Sequence, residues 1–226
     1  MIVLIFLSLL SSLSFGQQLP MPMGHYARGT LMFGWQLPPE GEGFMRLFQE
    51  RDNGWASHSM LEVIERVALE MSQLYPLRDR LQVGDISGRN GGRIARHTSH
   101  QNGLDVDLAF YRLNGIEQRP EPHRGFLEDM VRRGKISKNF DVQRNWELIK
   151  TLHRYGKVQR IFVDRVIKRE LCKYTERIGE QEIHTDVLRS IRPYPNHHNH
   201  LHVRLHCPDY AHKCTKQEDP IGGSGC

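Results

Sequence analysis

Two short windows of the chain concentrate side chains that could bind a metal or move a proton. One is His97-Thr98-Ser99-His100, followed by Asp105 and Asp107; the other is His197-His198-Asn199-His200-Leu201-His202. Together they hold six of the 13 histidines. Neutral imidazole and carboxylate are donors that zinc accepts, and three of them with an open fourth position make a catalytic site. Zinc lowers the pKa of bound water toward ~7, and a further histidine beside it can accept or return the proton. Serine nucleophile chemistry has no Gly-x-Ser-x-Gly elbow to support it. The Gly91-Gly92 loop lacks the ending of a phosphate-binding loop. From spacing alone, a metal site and a reading of these histidines as polar filler both stay open, because convergence requires the two windows to lie on neighbouring strands.

The elements that must position them can be read from periodicity. Leu104 to Phe110 alternates strictly, so Leu104, Val106, Leu108 and Phe110 face one side of a strand and Asp105 and Asp107 the other. Leu201 to Leu205 reads as a second strand, with His200 and His202 on one face, about 6.6 Å apart along it. That is too far for both rings to be forced onto one ion, yet near enough for one to bind and the other to act beside it. If the strands are neighbours, His100, Asp107 and His202 converge. A helix is expected from a Ser59/Glu62 capping box, with a stripe of Leu61, Ile64, Ala68, Met71 and Tyr75, until Pro76. Asp141 caps another, carrying Val142, Trp146, Ile149 and Leu152 and ending at Gly156. Leu81–Val83 and Val158–Val163 read as strands, Phe126–Val131 and Asp164–Leu171 as short helices, and 17–58 as an irregular covering arm. The irregular order predicts an α+β fold: a small antiparallel sheet with flanking helices and a zinc site in a surface groove.

Ile2 to Leu10 is apolar and leads into Ser14-Phe15-Gly16, the pattern of a secretory signal peptide spanning 1–16. The run falls short of the ~20 residues of a permanent span, so no stable membrane anchor is expected. Residues 17–226 suit one domain. Cys172, Cys207, Cys214 and Cys226 contain no C-x-x-C pair, and in an exported chain they predict two disulfides with three possible connectivities. The net charge of +5 favours an anionic partner. Nucleic acid is not expected, since no basic helix or aromatic-studded basic strand is present.

Asp85-Ile86-Ser87, Gly91-Gly92 and His97-Thr98-Ser99-His100-Gln101-Asn102-Gly103-Leu104-Asp105-Val106-Asp107 resemble the penicillin-insensitive murein endopeptidases. These belong with lysostaphin, the D-alanyl-D-alanine metallopeptidases and the hedgehog domain to a group whose signature is H-x6-D followed by H-x-H. His100, Asp107 and His200-Leu201-His202 meet it, and His-Val-Arg-Leu running through His206 to Cys207-Pro208 extends the likeness. The resemblance covers most of the chain after residue 16. It implies one Zn2+ held by His100, Asp107 and His202, with His200 as base and His197 as a second essential histidine. His97 would lie in reach of the site as a possible orienting residue, while Asp105 is as well placed to hold a loop. The implied substrate is the stem peptide of peptidoglycan, cut at a cross-link such as D-alanyl–diaminopimelate, in a periplasmic or secreted protein. The rivals are a D,D- or L,D-carboxypeptidase on the same scaffold and a non-catalytic zinc-bearing cell-wall-binding module. Residues 17–171 lack the N-terminal cysteine bridge of several family members, so the arm must be held by other means. The expected bridges are Cys207–Cys214, closing a loop after the H-x-H strand, and Cys172–Cys226, pinning the Gly-rich tail.

Overall fold

The alternating segment after His100 forms an inner strand of a mixed sheet. A computed structural model describes residues 18–119 and 127–226; the expected signal peptide lies outside them, as does the Phe126 end of one expected helix. The strands and helices, in chain order, begin with β1 (Met21–His25), β2 (Arg28–Met32), β3 (Trp35–Gln36), β4 (Glu40–Gly41), β5 (Phe44–Arg46) and β6 (Trp55–Ala56). Next come α1 (His58–Leu74), β7 (Leu81–Val83), β8 (Asp105–Ala109), β9 (Val131–Arg132), β10 (Lys135–Ile136) and α2 (Val142–Tyr155). The chain continues through β11 (Val158–Val163), α3 (Arg165–Arg177), α4 (Thr185–Ser190), β12 (Ile191–Pro193) and β13 (His200–Leu205).

The main sheet has seven strands in the order β12-β11-β13-β8-β7-β5-β4. It is larger than expected and mixed rather than antiparallel: β11 runs parallel to β12, and β5 parallel to β7. Each parallel pair is joined by a helical crossover, α3 with α4 in one case and α1 in the other, as parallel neighbours require. The remaining expectation about adjacency holds. β13 lies antiparallel against β8, with His202 opposite Asp107 and Arg204 opposite Asp105.

Alternation gives this sheet two unlike faces. Val106, Leu108, Ile161, Val163, Leu201 and Val203 join Ile64, Val67, Trp146 and Ile149 of α1 and α2 in one buried core. Each such aliphatic side chain contributes about 1.5–3 kcal/mol by leaving water. The opposite face carries Asp105, Asp107, His202 and Arg204, and it too is buried. A stable core on one side therefore holds the polar side chains of the other in fixed register.

Several local expectations are corrected. The cap of α1 is Ser57, not Ser59: its extended backbone ends the preceding segment, and its hydroxyl accepts from Met60 N. Ser57 Oγ also donates to the Gly103 carbonyl at 2.9 Å, tying the helix start to the loop after His100. The described part of 126–131 contains no helix; Val131 instead opens the β9–β10 hairpin. The expected Asp164–Leu171 helix runs on to Arg177 as α3. The arm is not irregular but folds into paired strands, β1 with β2 and β3 with β6, and it supplies β4 and β5 to the main sheet. Without a cysteine it is fastened by backbone: Gly24 N donates to Lys213 O at 2.8 Å and Thr215 N to Gly24 O at 2.9 Å. The disulfides are Cys172–Cys226 and Cys207–Cys214, as expected.

Candidate metal centre

Asp107 is the point on which the two histidine windows converge. His100 Nε2 stands 3.3 Å from Asp107 Oδ1, and His200 Nε2 and His202 Nδ1 each stand 3.6 Å from that same oxygen. His97 Nδ1 approaches Oδ2 at 3.8 Å. The side chains of β13 thus bend toward one another at their tips, so the spacing along the strand does not by itself separate ligand from base. His197 sits one ring further out, its centroid 5.0 Å from that of His200.

The chain fixes the outward nitrogen of each ring, and so determines which nitrogen faces the centre. His100 is fully buried, and its backbone is left-handed, with φ 63. Such a conformation costs a non-glycine residue about 1 kcal/mol or more. Its backbone N–H donates to Asp105 Oδ2 at 3.0 Å and its Nδ1–H to the Ile86 carbonyl at 2.8 Å, leaving Nε2 toward Asp107. His200 Nδ1–H donates to Asn199 Oδ1 at 2.7 Å, which likewise turns Nε2 inward. His202 is turned the other way, with Nε2 lying 3.3 Å from Asp105 Oδ1 and Nδ1 facing Asp107. His97 Nε2–H donates to Asp85 at 3.0 Å, and Arg51 holds that carboxylate at 3.1 Å. His197 Nδ1–H donates to the Pro195 carbonyl at 2.7 Å.

The electrostatics place a cation beside each carboxylate. Burial raises the cost of charging Asp105 and Asp107, yet Arg204 with His202 holds Asp105, and His100 with His200 holds Asp107, well below the usual carboxylate range. Burial also opposes a charge on His100, but Asp107 beside it wins and lifts its pKa to about 9. At His200 and His202 burial dominates and pushes each down to about 4. Asp105 is thus matched by Arg204 and Asp107 by His100, and a metal ion displacing the His100 proton would take its place beside Asp107. His100 Nε2 and Asp107 Oδ1 are both buried without a hydrogen-bond partner. They face each other at 3.3 Å. That separation suits two donors on one tetrahedral ion, with bonds of about 2.0–2.2 Å. The residues therefore fit a metal ion. His97, His100 and Asp107 form one trio of such donors, with their ligand atoms all within 4.8 Å of one another.

Three contributors to this geometry carried no role in the sequence reading. Asp85 holds His97, Asn199 holds His200, and Arg204 holds Asp105. Arg204 was legible in principle, since it shares the alternation that puts His200 and His202 on one face. A cavity of about 570 Å³ opens over the cluster, walled by Tyr26, Phe162, Tyr194 and His197 among others.

A mixed sheet that gathers imidazoles and carboxylates around one point beneath a cavity supplies the donor set that a metallopeptidase needs. Residues 22–226 match the family model described as penicillin-insensitive murein endopeptidase, and the chain belongs to that family. Curated relatives of the same name include one from Haemophilus influenzae, 31% identical over 208 residues, covering 91% of this chain and 70% of the relative. Another, from Pectobacterium atrosepticum, is 32% identical over 215 residues, covering 92% and 72%. A third, from Escherichia coli, is 29% identical over 207 residues, covering 90% and 73%.

Proposed function

We propose that the chain is a zinc-dependent endopeptidase that hydrolyses stem-peptide cross-links of peptidoglycan, such as D-alanyl–diaminopimelate. The observation that carries this reading is the convergence of His100, His200 and His202 within 3.6 Å of Asp107 Oδ1, under an open cavity. His100, Asp107 and His202 would hold the metal. Zinc, when bound, supplies the Lewis acidity that activates water and polarises a carbonyl.

The division of labour between His200 and His202 rests on their partners. His202 is the more buried and is backed by a carboxylate, the arrangement that fixes and strengthens a ligating imidazole. His200 is backed by the neutral amide of Asn199, and its side chain is 19% exposed. It can therefore take a proton from the reacting centre and release it. His197 borders the same cavity and is placed to steady the charge that grows on the scissile carbonyl oxygen. A second ligand set has one specific observation in its favour, the compact His97–His100–Asp107 trio. In the preferred set His97 instead orients the centre through Asp85.

Two disulfides support a working place outside the cytoplasm, and no helix among the described residues is long and apolar enough to cross a membrane. Export through removal of residues 1–16 to the periplasm or medium completes the reading, with 17–226 as the catalytic domain. Digestion of purified cross-linked muropeptides, with products identified by mass, tests it. Conversion of dimers to monomers is the expected result. Release of terminal D-alanine alone would make the protein a carboxypeptidase, and binding without cleavage would make it a wall-binding module.

A further inference from the structure

The register of the sheet extends the polar face beyond the metal centre. Arg192, Phe162, His202 and Asp107 stand opposite one another as one row across β12, β11, β13 and β8. Two residues along, Arg160, Arg204 and Asp105 form the next row. Within that second row the charges are unequally matched. Arg204 is neutralised by Asp105, at 2.7 and 3.2 Å. Arg160 is only half-buried; its Nη2 donates to the Glu218 carbonyl at 2.8 Å, and among the described residues no carboxylate pairs with it. Asp219 attracts it from beyond ion-pair distance but is itself engaged with His206 at 3.2 Å. A guanidinium has five N–H donors in a planar fork, so most of this one's capacity faces the cavity that it lines. Arg96, on the loop before His97, lines the same cavity, is exposed, and also lacks an ion-pair partner among the described residues.

Two unmatched cations on the wall of a cavity whose floor is the candidate metal centre call for an anionic ligand group. Arg160 lies one side-chain row from His202. Successive rows on one face of a strand are about 6.6 Å apart. An arginine side chain is long enough to span that distance toward the metal centre, so its guanidinium can meet a group carried next to the scissile nitrogen. In a D-alanyl–diaminopimelate cross-link, the carbon bonded to the scissile nitrogen carries a free carboxylate. We propose that Arg160, assisted by Arg96, forms a carboxylate-binding subsite that selects cross-links whose scissile amide is flanked by a free carboxylate. The subsite rests on the endopeptidase reading and names the part of the substrate that this site recognises. Bidentate pairing with a guanidinium gives geometric choice as well as attraction.

The test compares two synthetic cross-linked stem-peptide dimers, one with that carboxylate free and one with it converted to the carboxamide. The zinc-loaded protein should cleave the free acid with the higher kcat/KM. Arg160→Gln should lower the acid-to-amide ratio by about 10–100-fold, the scale of a lost charge-assisted contact, chiefly through KM on the acid. Arg96→Gln should lower it less. Arg160→Lys keeps the charge and loses the fork, and is read in place of Arg160→Gln if that variant fails to fold; it should lower the ratio several-fold. Equal cleavage of acid and amide by the unmodified protein, or a ratio unchanged in every Arg160 variant, overturns the subsite while leaving the endopeptidase reading intact. Failure to cleave either dimer overturns that reading and the subsite with it.

Discussion

Arg204 grips Asp105 from the neighbouring strand, its Nε and Nη2 donating to the two carboxylate oxygens at 2.7 and 3.2 Å. Both groups are buried, so the pair is charged, rigid and screened from solvent. The same two oxygens face His202 Nε2 at 3.3 Å and the His100 backbone N–H at 3.0 Å. One carboxylate thus touches two of the three proposed ligands, and the expected role of Asp105 is that of a positioning residue as well as a loop anchor. Asp105→Asn keeps the size and removes the charge. Zinc retention, followed by competition with a chelator, should weaken about 10–100-fold, the usual cost of losing such a partner. Retention equal to that of the unmodified protein would show that Asp105 only holds the loop.

Replacing His100, Asp107 or His202 by Ala should abolish zinc binding and cleavage together. Elemental analysis and a muropeptide assay on the same preparation read both. Stoichiometric zinc with full activity in any of the three would remove that residue from the ligand set. Loss of zinc in His97→Ala with retention in His202→Ala would favour the alternative trio.

His200→Ala separates proton transfer from metal binding. The metal and the fold should stay, while cleavage slows by about 10²–10⁴-fold, the range of general acid–base catalysis. Loss of metal would make His200 a ligand. Unchanged cleavage would pass the role of base to His197.

Stability should depend on pH through a histidine remote from the centre. Burial pushes His153 down to about 4, and its Nε2 shares a 2.8 Å hydrogen bond with Ser190 Oγ. A folded pKa below the unfolded value of about 6.5 means that the unfolded chain binds the proton more readily. The contribution is therefore complete above about pH 6.5 and is lost as the pH falls toward 4. It amounts to about 3 kcal/mol at most. Denaturant unfolding of the unmodified protein and of His153→Gln across this range should give curves that diverge with rising pH. Parallel curves would show that His153 does not control the dependence.

Reduction should loosen the tail before the core. Cys172 and Cys226 stand 54 positions apart in sequence and Cys207 and Cys214 only 7, and a longer loop constrains the unfolded chain more. Cys172→Ser with Cys226→Ser should cost about 2–4 kcal/mol in denaturant unfolding. A cost smaller than that of the Cys207/Cys214 double replacement would contradict the loop-length argument.

What could be read from the sequence follows from the range of the forces involved. Strands β8 and β13 were legible because one face of each must be apolar to meet the helices, and that demand is written in alternate residues. The convergence of His100, Asp107 and His202 came with it once their adjacency was granted. The arm was illegible for the opposite reason. Strands of two to five residues rich in Gly and Pro carry little period, and β1 and β2 are held by each other, by the loop at 90–92 and by residues near 213–215, contacts that leave no pattern in the sequence. Strand β12, three residues long, draws its identity from its neighbour β11 alone. The slip from Ser57 to Ser59 shows how closely spaced hydroxyls can each satisfy a capping pattern, while the backbone selects only one.

The bonds between Gly24 and Lys213–Thr215 have a consequence for timing. They knot an early stretch of the chain to a late one, and Tyr26, two residues beyond Gly24, is part of the cavity wall. The stretch of cavity wall that Tyr26 supplies therefore gains this fastening only once residue 215 is present, so the site depends on the late end of the chain as much as on the early one.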